Sequence, residues 1–305
     1  MRLSEAADYG SKLVGRREAI FILQNVTGFA YEDIIMRGDT VLCKKSIDVF
    51  LQKMNRLADG EPLQYVLGKW DFCGIEFIVD NRALIPRQET ELLVEAVLGH
   101  VNNKQQLNIL DVCTGSGCVG ISIAVLTGFK HNIVLADVSD KALSLAKENC
   151  LRLLSLRGNY ERKAAGRSNP AMHGSLKDVD CFATLAMTGN ICIIHSDLLD
   201  TIPGEFDIIV SNPPYIISSD MASLPENVKN FEPQLALNGG PDGLDIYRRL
   251  IPQSFVKLKP GGMIFLEIGA VQALEIMQKT GFTDVKIQKD YSGIDRILQG
   301  VKCHV

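Results

Sequence analysis

The stretch "DIIVSNPPYI", Asp207 to Ile216, decides how the chain is read. Ile208, Ile209 and Val210 are apolar and β-branched in a row, as in a strand buried on both faces. The strand then stops at Ser211, Asn212, Pro213, Pro214 and Tyr215. Neither proline can donate a ladder hydrogen bond, so the strand cannot continue. A plain proline-rich turn opened by Asn would account for the stop. Its surroundings say more.

From Leu107 onward the chain alternates strand, turn and helix. "LNILDV" precedes "CTGSGCVGISIAVL", and "NIVLADV" precedes "SDKALSLAKENCLRLL". "NICIIHSD" and "FDIIVSN" follow, then the helix "DGLDIYRRLIPQSFVKL" and the strand "GGMIFLEIG". Near-continuous apolar strands alternating with helices predict an α/β fold, a doubly wound parallel sheet covered on both faces. The end differs: "TDVKIQKD", "YSGI" and "DRILQGVK" read as an antiparallel hairpin.

The first seventy residues are instead helical in pattern. In "KSIDVFLQKMNRLADG", Ile47, Phe50, Leu51, Met54 and Leu57 recur at helical spacing, Ser46 suits the N-cap and Gly60 follows the end. "REAIFILQNVTG" closes on Gly28. Trp70 to Val79 is rich in aromatic and β-branched residues, with a turn signal at Asp80–Asn81, and predicts a β-hairpin; "PRQETE" and a helix over Leu92 to Leu98 come next. The expected organisation is a helical domain over 1–69, a hairpin linker over 70–86 and an α/β domain over 87–305. Residues 151–190, "LRLLSLRGNYERKAAGRSNPAMHGSLKDVDCFATLAMTGN", are expected to carry a partly mobile surface insertion outside the sheet.

Composition bounds the function. A net charge of -4 over 305 residues provides no overall basic field for nucleic acid. No apolar run approaches bilayer length, and "MRLSEAADYG" lacks an apolar signal core, so the expected location is cytoplasmic, with no membrane partner. The eight cysteines form no C-x-x-C pair and have no histidine at metal-ligand spacing; they read as free thiols in apolar settings, and no metal is expected.

"GSGCVG", Gly115 to Gly120, formally matches the G-x-G-x-x-G cofactor turn. Asp137, ending the second strand, is an acid suited to ribose hydroxyls of either NAD or S-adenosylmethionine. Asp111, four residues before Gly115, discriminates better. A pyrophosphate at a helix N-terminus gains little from a neighbouring carboxylate, whereas the ammonium and sulfonium of S-adenosylmethionine suit one. On this turn alone a nicotinamide or flavin cofactor stays open beside S-adenosylmethionine.

Ligands of open α/β sheets bind beyond the carboxyl ends of the strands, where "NPPY" lies. The Asn212 amide oxygen and the Pro213 carbonyl are two acceptors, the Pro213–Pro214 pair stiffens their step, and Tyr215 adds a flat wall. Together they form a receptor for a planar NH2 group.

At this point a resemblance is specific. A doubly wound sheet finished by a hairpin is the arrangement of Rossmann-like class I methyltransferases, and "NPPY" after the fourth strand resembles enzymes that methylate adenine N6 or glutamine side chains. "EPLQYVLGKWDF" (61–72), "LIPRQETELLVE" (84–95), "FEPQLALNGGPDGLDIYR" (231–248), "LEIGAVQ" (266–272) and "DYSGIDRIL" (290–298) are together similar to the peptide chain release factor glutamine N5-methyltransferase family, also called HemK or PrmC, over nearly the whole chain. The resemblance implies an N-terminal bundle that grips the release factor and a catalytic domain that methylates the glutamine of its Gly-Gly-Gln tip. It implies S-adenosylmethionine against Cys113, Thr114, Gly115, Ser116, Gly117 and Asp137, with Asp111 nearby and Asp197 and Leu198 flanking adenine. It places the substrate glutamine at Asn212, Pro213, Pro214 and Tyr215. Cys113 stands where a glycine is commoner, and Leu198 where many relatives carry an aromatic. Arg87, Glu89, Thr90, Glu232 and Glu267 have either a site role or a structural one, while Asp207 reads as the solvated start of a strand. A glutamine methyltransferase of a ribosomal protein, an adenine-N6 nucleic-acid methyltransferase and a non-catalytic S-adenosylmethionine-binding adaptor are the alternatives; no stable nucleic-acid partner is expected.

Overall fold

Five helices open the chain: α1 (Leu3–Val14), α2 (Arg16–Thr27), α3 (Tyr31–Met36), α4 (Lys44–Ala58) and α5 (Leu63–Leu67). The computed structural model describes residues 1–101, 104–164, 187–188, 190–269 and 273–303. Leu3, Ala6, Ile22, Leu23, Phe50 and Met54 close the core of this helical unit. Gly10 makes that closeness possible, since a Cβ there would lie 2.7 Å from the Ala19 Cβ and 3.1 Å from the Met54 Cε. The helix α2 ends where its glycine predicts: Gly28 is left-handed and donates its N–H to the Gln24 carbonyl. At α4 the cap differs from expectation. Cys43 holds the N-cap position and Ser46 lies inside the first turn, within 3.2 Å of the Cys43 sulfur.

The hairpin comprises β1 (Lys69–Phe72) and β2 (Ile75–Ile78). Its turn is Cys73–Gly74, not Asp80–Asn81, and both turn residues have positive φ (53° and 71°). Such pairs match the twist of two-residue hairpins, but Cys in the first position hides the usual Asn-Gly signature. Compactness divides the chain into Met1–Trp70 with Val79–Asn81 and Leu224–Glu232 as one unit, and Asp71–Ile78, Arg82–Ser223 and Pro233–Val305 as the other. Most of the hairpin therefore travels with the larger unit.

The larger unit runs α6 (Glu91–Val101), β3 (Asn108–Val112), α7 (Cys118–Leu126), β4 (Asn132–Asp137), α8 (Asp140–Ala164), β5 (Met187–Thr188), β6 (Ile191–His195) and β7 (Phe206–Ser211). After α9 (Glu226–Phe231), which belongs to the helical unit, come α10 (Asp245–Lys257), β8 (Leu258–Glu267), α11 (Ala273–Thr280), β9 (Phe282–Lys289) and β10 (Asp295–Lys302). Among the described residues the sheet order is β5-β6-β4-β3-β7-β8-β10-β9. Strands β6, β4, β3, β7 and β8 are parallel neighbours, while β10 is antiparallel to both β8 and β9. The order reverses direction beside β3, which is the topological switch point of a doubly wound sheet.

Residue alternation shows the two covered faces. Leu110, Val112, Ile209, Ile264, Leu266 and Leu298 share one core with Leu250 and Ile251 of α10 and Met277 of α11. Their neighbours along the strands, Ile109, Ile208 and Phe265, are equally buried and point the other way, where His100 of α6 packs edge-on against Phe265. Asp207 is more than a solvated strand start: its Oδ2 accepts the Asn108 N–H and the Lys259 ammonium, both at 2.8 Å, and so pins the beginnings of β3, β7 and β8 together.

Within 151–190, the expected insertion is less separate than its composition suggested. Helix α8 runs on to Ala164, and Met187–Thr188 pair antiparallel with Ile191–Cys192 at the sheet edge. Residues 165–186 and 189 lie outside the described residues. No helix among the described residues is long and apolar enough to cross a membrane.

Phe50 is fully buried in the helical core. Replacing it with alanine removes a ring that α1 and α2 cannot collapse to fill. The expected cost is about 3–5 kcal/mol, read as faster hydrogen exchange of the α1 and α2 amides.

Candidate functional site

The parallel strands β3, β4, β6 and β7 run the same way, so their carboxyl ends open on one rim. A cavity of about 340 Å³ lies there, in the range of small-ligand sites. Its wall includes Asp111, Cys113, Thr114, Gly115, Ser116, Asp137, Asp197, Leu198, Asn212 and Pro214, nearly all of the residues singled out from sequence. Gly117, Pro213 and Tyr215 are next to lining residues in the chain but do not themselves line it.

The turn after β3 is built for close approach. Cys113 has a left-handed backbone (φ 58°), as do Gly115 (56°) and Gly117 (81°). A cysteine therefore adopts the conformation that glycine would take freely, and the turn stays tight. The Thr114 N–H donates to the Ala136 carbonyl and the Gly117 N–H to the Thr114 carbonyl. Helix α7 packs down closely: a Cβ on Gly120 would lie 2.3 Å from Leu135 and 3.1 Å from the Asp111 Cβ. Asn149 of α8 completes the cradle, donating to the carbonyls of Ser116 and Ile78 and accepting the Ile78 N–H. Sequence reading missed this residue. Its only trace was an asparagine among the apolar positions of a helix.

Two carboxylates face the cavity in different ways. Asp111 is 1% exposed; its Oδ2 accepts from the Thr114 hydroxyl (2.6 Å) and the Gly120 N–H (2.9 Å), and its Oδ1 has no partner among the described residues. Burial pushes its pKa up to about 7, against the opposing pull of those two hydrogen bonds. Asp137 accepts the Gly115 N–H on one oxygen and the Ser139 N–H on the other, which leaves each with a further lone pair. Burial raises its pKa also. A ligand with a cation at one end and vicinal hydroxyls at the other fits these acceptors. Asp197 sits at the exposed rim, paired with Arg249 at 2.8 Å, and Leu198 beside it is buried. Among the described residues no cluster of His, Cys, Asp or Glu could hold a metal ion.

The second half of the site is the chain after β7. The Asn212 Nδ2 donates to the Thr90 hydroxyl at 3.1 Å, and neither the Asn212 Oδ1 nor the Pro213 carbonyl has a partner among the described residues. The glycine-rich loop 238–243 wraps the backbone of this step. Ile216 donates to the Leu237 carbonyl and Gly239 to that of Ile216, and a Cβ on Gly239 would fall 2.6 Å from the Tyr215 Cα. Gly269 leaves room for the Tyr215 ring, since a Cβ there would lie 2.2 Å from its Cδ2. Arg87 and Thr90 are on the cavity wall. Glu267 is buried at the end of β8 and Glu232 is buried in the helical unit. Thr90 does not cap α6, for its hydroxyl donates to Glu267. Ala270, Val271 and Gln272 of the "LEIGAVQ" motif lie outside the described residues.

The chain is similar to known proteins over most of its length. Residues 13–68 match the PrmC N-terminal domain. The release factor glutamine methyltransferase of Clostridium acetobutylicum is 35% identical over 266 residues, 85% of this chain and 81% of that protein. Its counterpart from Borreliella burgdorferi is 32% identical over 303 residues, 98% of this chain and 93% of that protein. Among solved structures, the catalytic domain of hMettl16 superposes with a TM-score of 0.50 at 15% identity, covering 85% of this chain and 82% of that one, a likeness of fold. With its class I methyltransferase fold and relatives matched over most of both chains, this protein belongs to the release factor glutamine methyltransferase family.

Proposed function

We propose that this protein transfers a methyl group from S-adenosylmethionine to the side-chain amide N5 of the glutamine in the Gly-Gly-Gln motif of peptide chain release factors, in the cytoplasm. Beyond family membership, one observation carries the reading: Asn212 lines the cavity and its amide oxygen has no protein partner among the described residues.

S-adenosylmethionine, when bound, supplies an electrophilic methyl on a sulfonium. The chain's own groups do the rest. The open oxygen of Asp111 suits the ligand's positive end, and the spare lone pairs of Asp137 suit its ribose hydroxyls. Cys113, Thr114, Gly115, Ser116 and Gly117 supply the closely approached backbone, and Asp197 and Leu198 the adenine side. An amide nitrogen is a poor nucleophile because its lone pair is delocalised into the carbonyl. Acceptance of its two N–H hydrogens by the Asn212 Oδ1 and the Pro213 carbonyl fixes the nitrogen, and the Pro213–Pro214 pair keeps the acceptors from moving. Tyr215 walls the far side. Catalysis here is mostly orientation and exclusion of water, with no strong base in the motif. We assign the helical domain, residues 1–69, to gripping the release factor. The exposed Tyr31, Ile35 and Met36 on α3 support that role.

Asn212→Ala removes one of two acceptors, so methyl transfer is expected to fall on the order of a hundredfold, as when one preorganised polar group is lost. Cofactor affinity should change far less. Incubation with labelled cofactor and mass spectrometry of a release factor, its Gln→Ala variant, a ribosomal protein and adenine-containing DNA decides the substrate. Label on the DNA alone would overturn the reading.

Asp111 generates a pH dependence. Its pKa is raised, so the carboxyl holds a proton below about pH 7 and must lose it to face a cation. S-adenosylmethionine affinity is therefore expected to rise as pH climbs through about 7 and to level off above. Calorimetry on Asp111→Asn should show a weaker affinity without that rise.

A further inference from the structure

The geometry points to Glu267 as the residue that fixes which way the Asn212 amide faces, acting through the Thr90 hydroxyl. The inference rests on the acceptor role proposed for Asn212 and names what holds that acceptor in place.

Three side chains from three parts of the chain meet in line. Glu267 ends β8 and is 1% exposed; Thr90, before α6, is 2% exposed. Thr90 Oγ1 lies 2.7 Å from the Glu267 Oε2, and the Asn212 Nδ2 lies 3.1 Å from the Thr90 Oγ1. Donor counting orders the line. An ionised carboxylate has no proton to give, so the single hydroxyl proton of Thr90 goes to Glu267. The Thr90 oxygen can then only accept, and the Asn212 amide must turn its NH2 towards it. The Asn212 oxygen is left facing the cavity, as an acceptor of N–H needs. A flipped amide would set two lone pairs against each other at Thr90 and two donors against the substrate's donors.

A buried carboxylate costs more than an apolar residue of the same size, so its surroundings matter. The Tyr247 hydroxyl on α10 donates to the Glu267 backbone carbonyl at 2.8 Å and holds the strand end. The Tyr215 hydroxyl points at the second carboxylate oxygen, at 3.4 Å. Arg296 of β10 is aimed by Asp290, which pairs with it at 3.1 Å while accepting the N–H groups of Ser292 and Ile294. This gives the "DYSGIDRIL" hairpin a use: it holds a cation whose charge favours the ionised form of Glu267.

The charges around Glu267 set a pH window. Burial raises its pKa above the ordinary carboxylate value and Glu89 adds to the rise, against Thr90, Arg296 and Tyr215, which lower it. Arg87 stands near Tyr215, and from α6 His100 packs on Phe265, two residues along β8. Protonated Glu267 can donate to Thr90, whose own proton is then free to reach the Asn212 oxygen. Both amide orientations are satisfied in that state. Turnover at saturating cofactor should therefore fall as pH drops through the raised pKa.

The test uses the full chain with labelled S-adenosylmethionine and a release factor carrying Gly-Gly-Gln. Thr90→Val keeps the shape and removes the hydroxyl. It is expected to lower kcat about tenfold, the worth of one neutral hydrogen bond, with cofactor Kd nearly unchanged. Thr90→Ser should restore most of kcat. Glu267→Gln can offer Thr90 either end of its amide, so kcat should fall and its acid limb should disappear. If Thr90→Val does not fold, Thr90→Ala against Thr90→Ser makes the same comparison. Wild-type kcat in Thr90→Val or Thr90→Ala, or an unaltered acid limb in Glu267→Gln, would overturn the inference if Asn212→Ala is inactive. Full activity of Asn212→Ala would instead remove the acceptor reading beneath it.

Discussion

Parallel strands must end on the same side, and the site depends on that constraint. Strands β3, β4, β6 and β7 are hydrogen-bonded neighbours in register, so whatever follows each of them meets at one rim. Asp111 lies within the end of β3, Asp137 closes β4, Asp197 follows β6 and Asn212 follows β7. Four short segments, far apart in sequence, converge because a sheet has only one carboxyl edge. No local preference of any of these residues would bring them together.

The rim is costly to build, and the costs fall where a ligand would be. Cys113 and Leu198 both hold left-handed backbones, which L side chains seldom adopt without support. Asp111 and Glu267 are carboxyls with almost no exposure. Each is supported by the surrounding chain: Asp111 by the Gly120 N–H of α7, Glu267 by the Thr90 hydroxyl and the charge of Arg296. The apolar mass of β3, β7, β8, α10 and α11 carries the stability that permits this.

Glycines here act by what they leave out. Gly239 and Gly269 leave space for the Pro214–Tyr215 backbone and the Tyr215 ring. The two-proline step is thus rigid from within and enclosed from without. Rigidity suits a receptor for a planar NH2 group, because an acceptor that moves by an ångström no longer selects one nitrogen orientation.

Local structure is written in the chain itself. Runs such as Ile208–Val210, the turn "CTGSGCVG" and the helix "DIYRRLIPQSFVK" announce themselves through periodicity and turn chemistry, and their alternation specifies a doubly wound sheet. The glycine turn after β3 and the "NPPY" step stood out in the sequence because each is a single segment whose conformation depends on neighbours one to four residues away. The pairings across the fold come only from packing. Thr90 and Glu267 are 177 residues apart, Asn212 and Thr90 122, and Asn149 reaches Ser116 across 33. Residues so distant leave no period in the chain. The hairpin turn at Cys73–Gly74 escaped for a related reason: its positive φ values are held by the strands on either side, while the residue type alone pointed to Asp80–Asn81. Hydrogen bonds of this kind are chosen by burial, since a polar group removed from water must take the partner that folding brings to it.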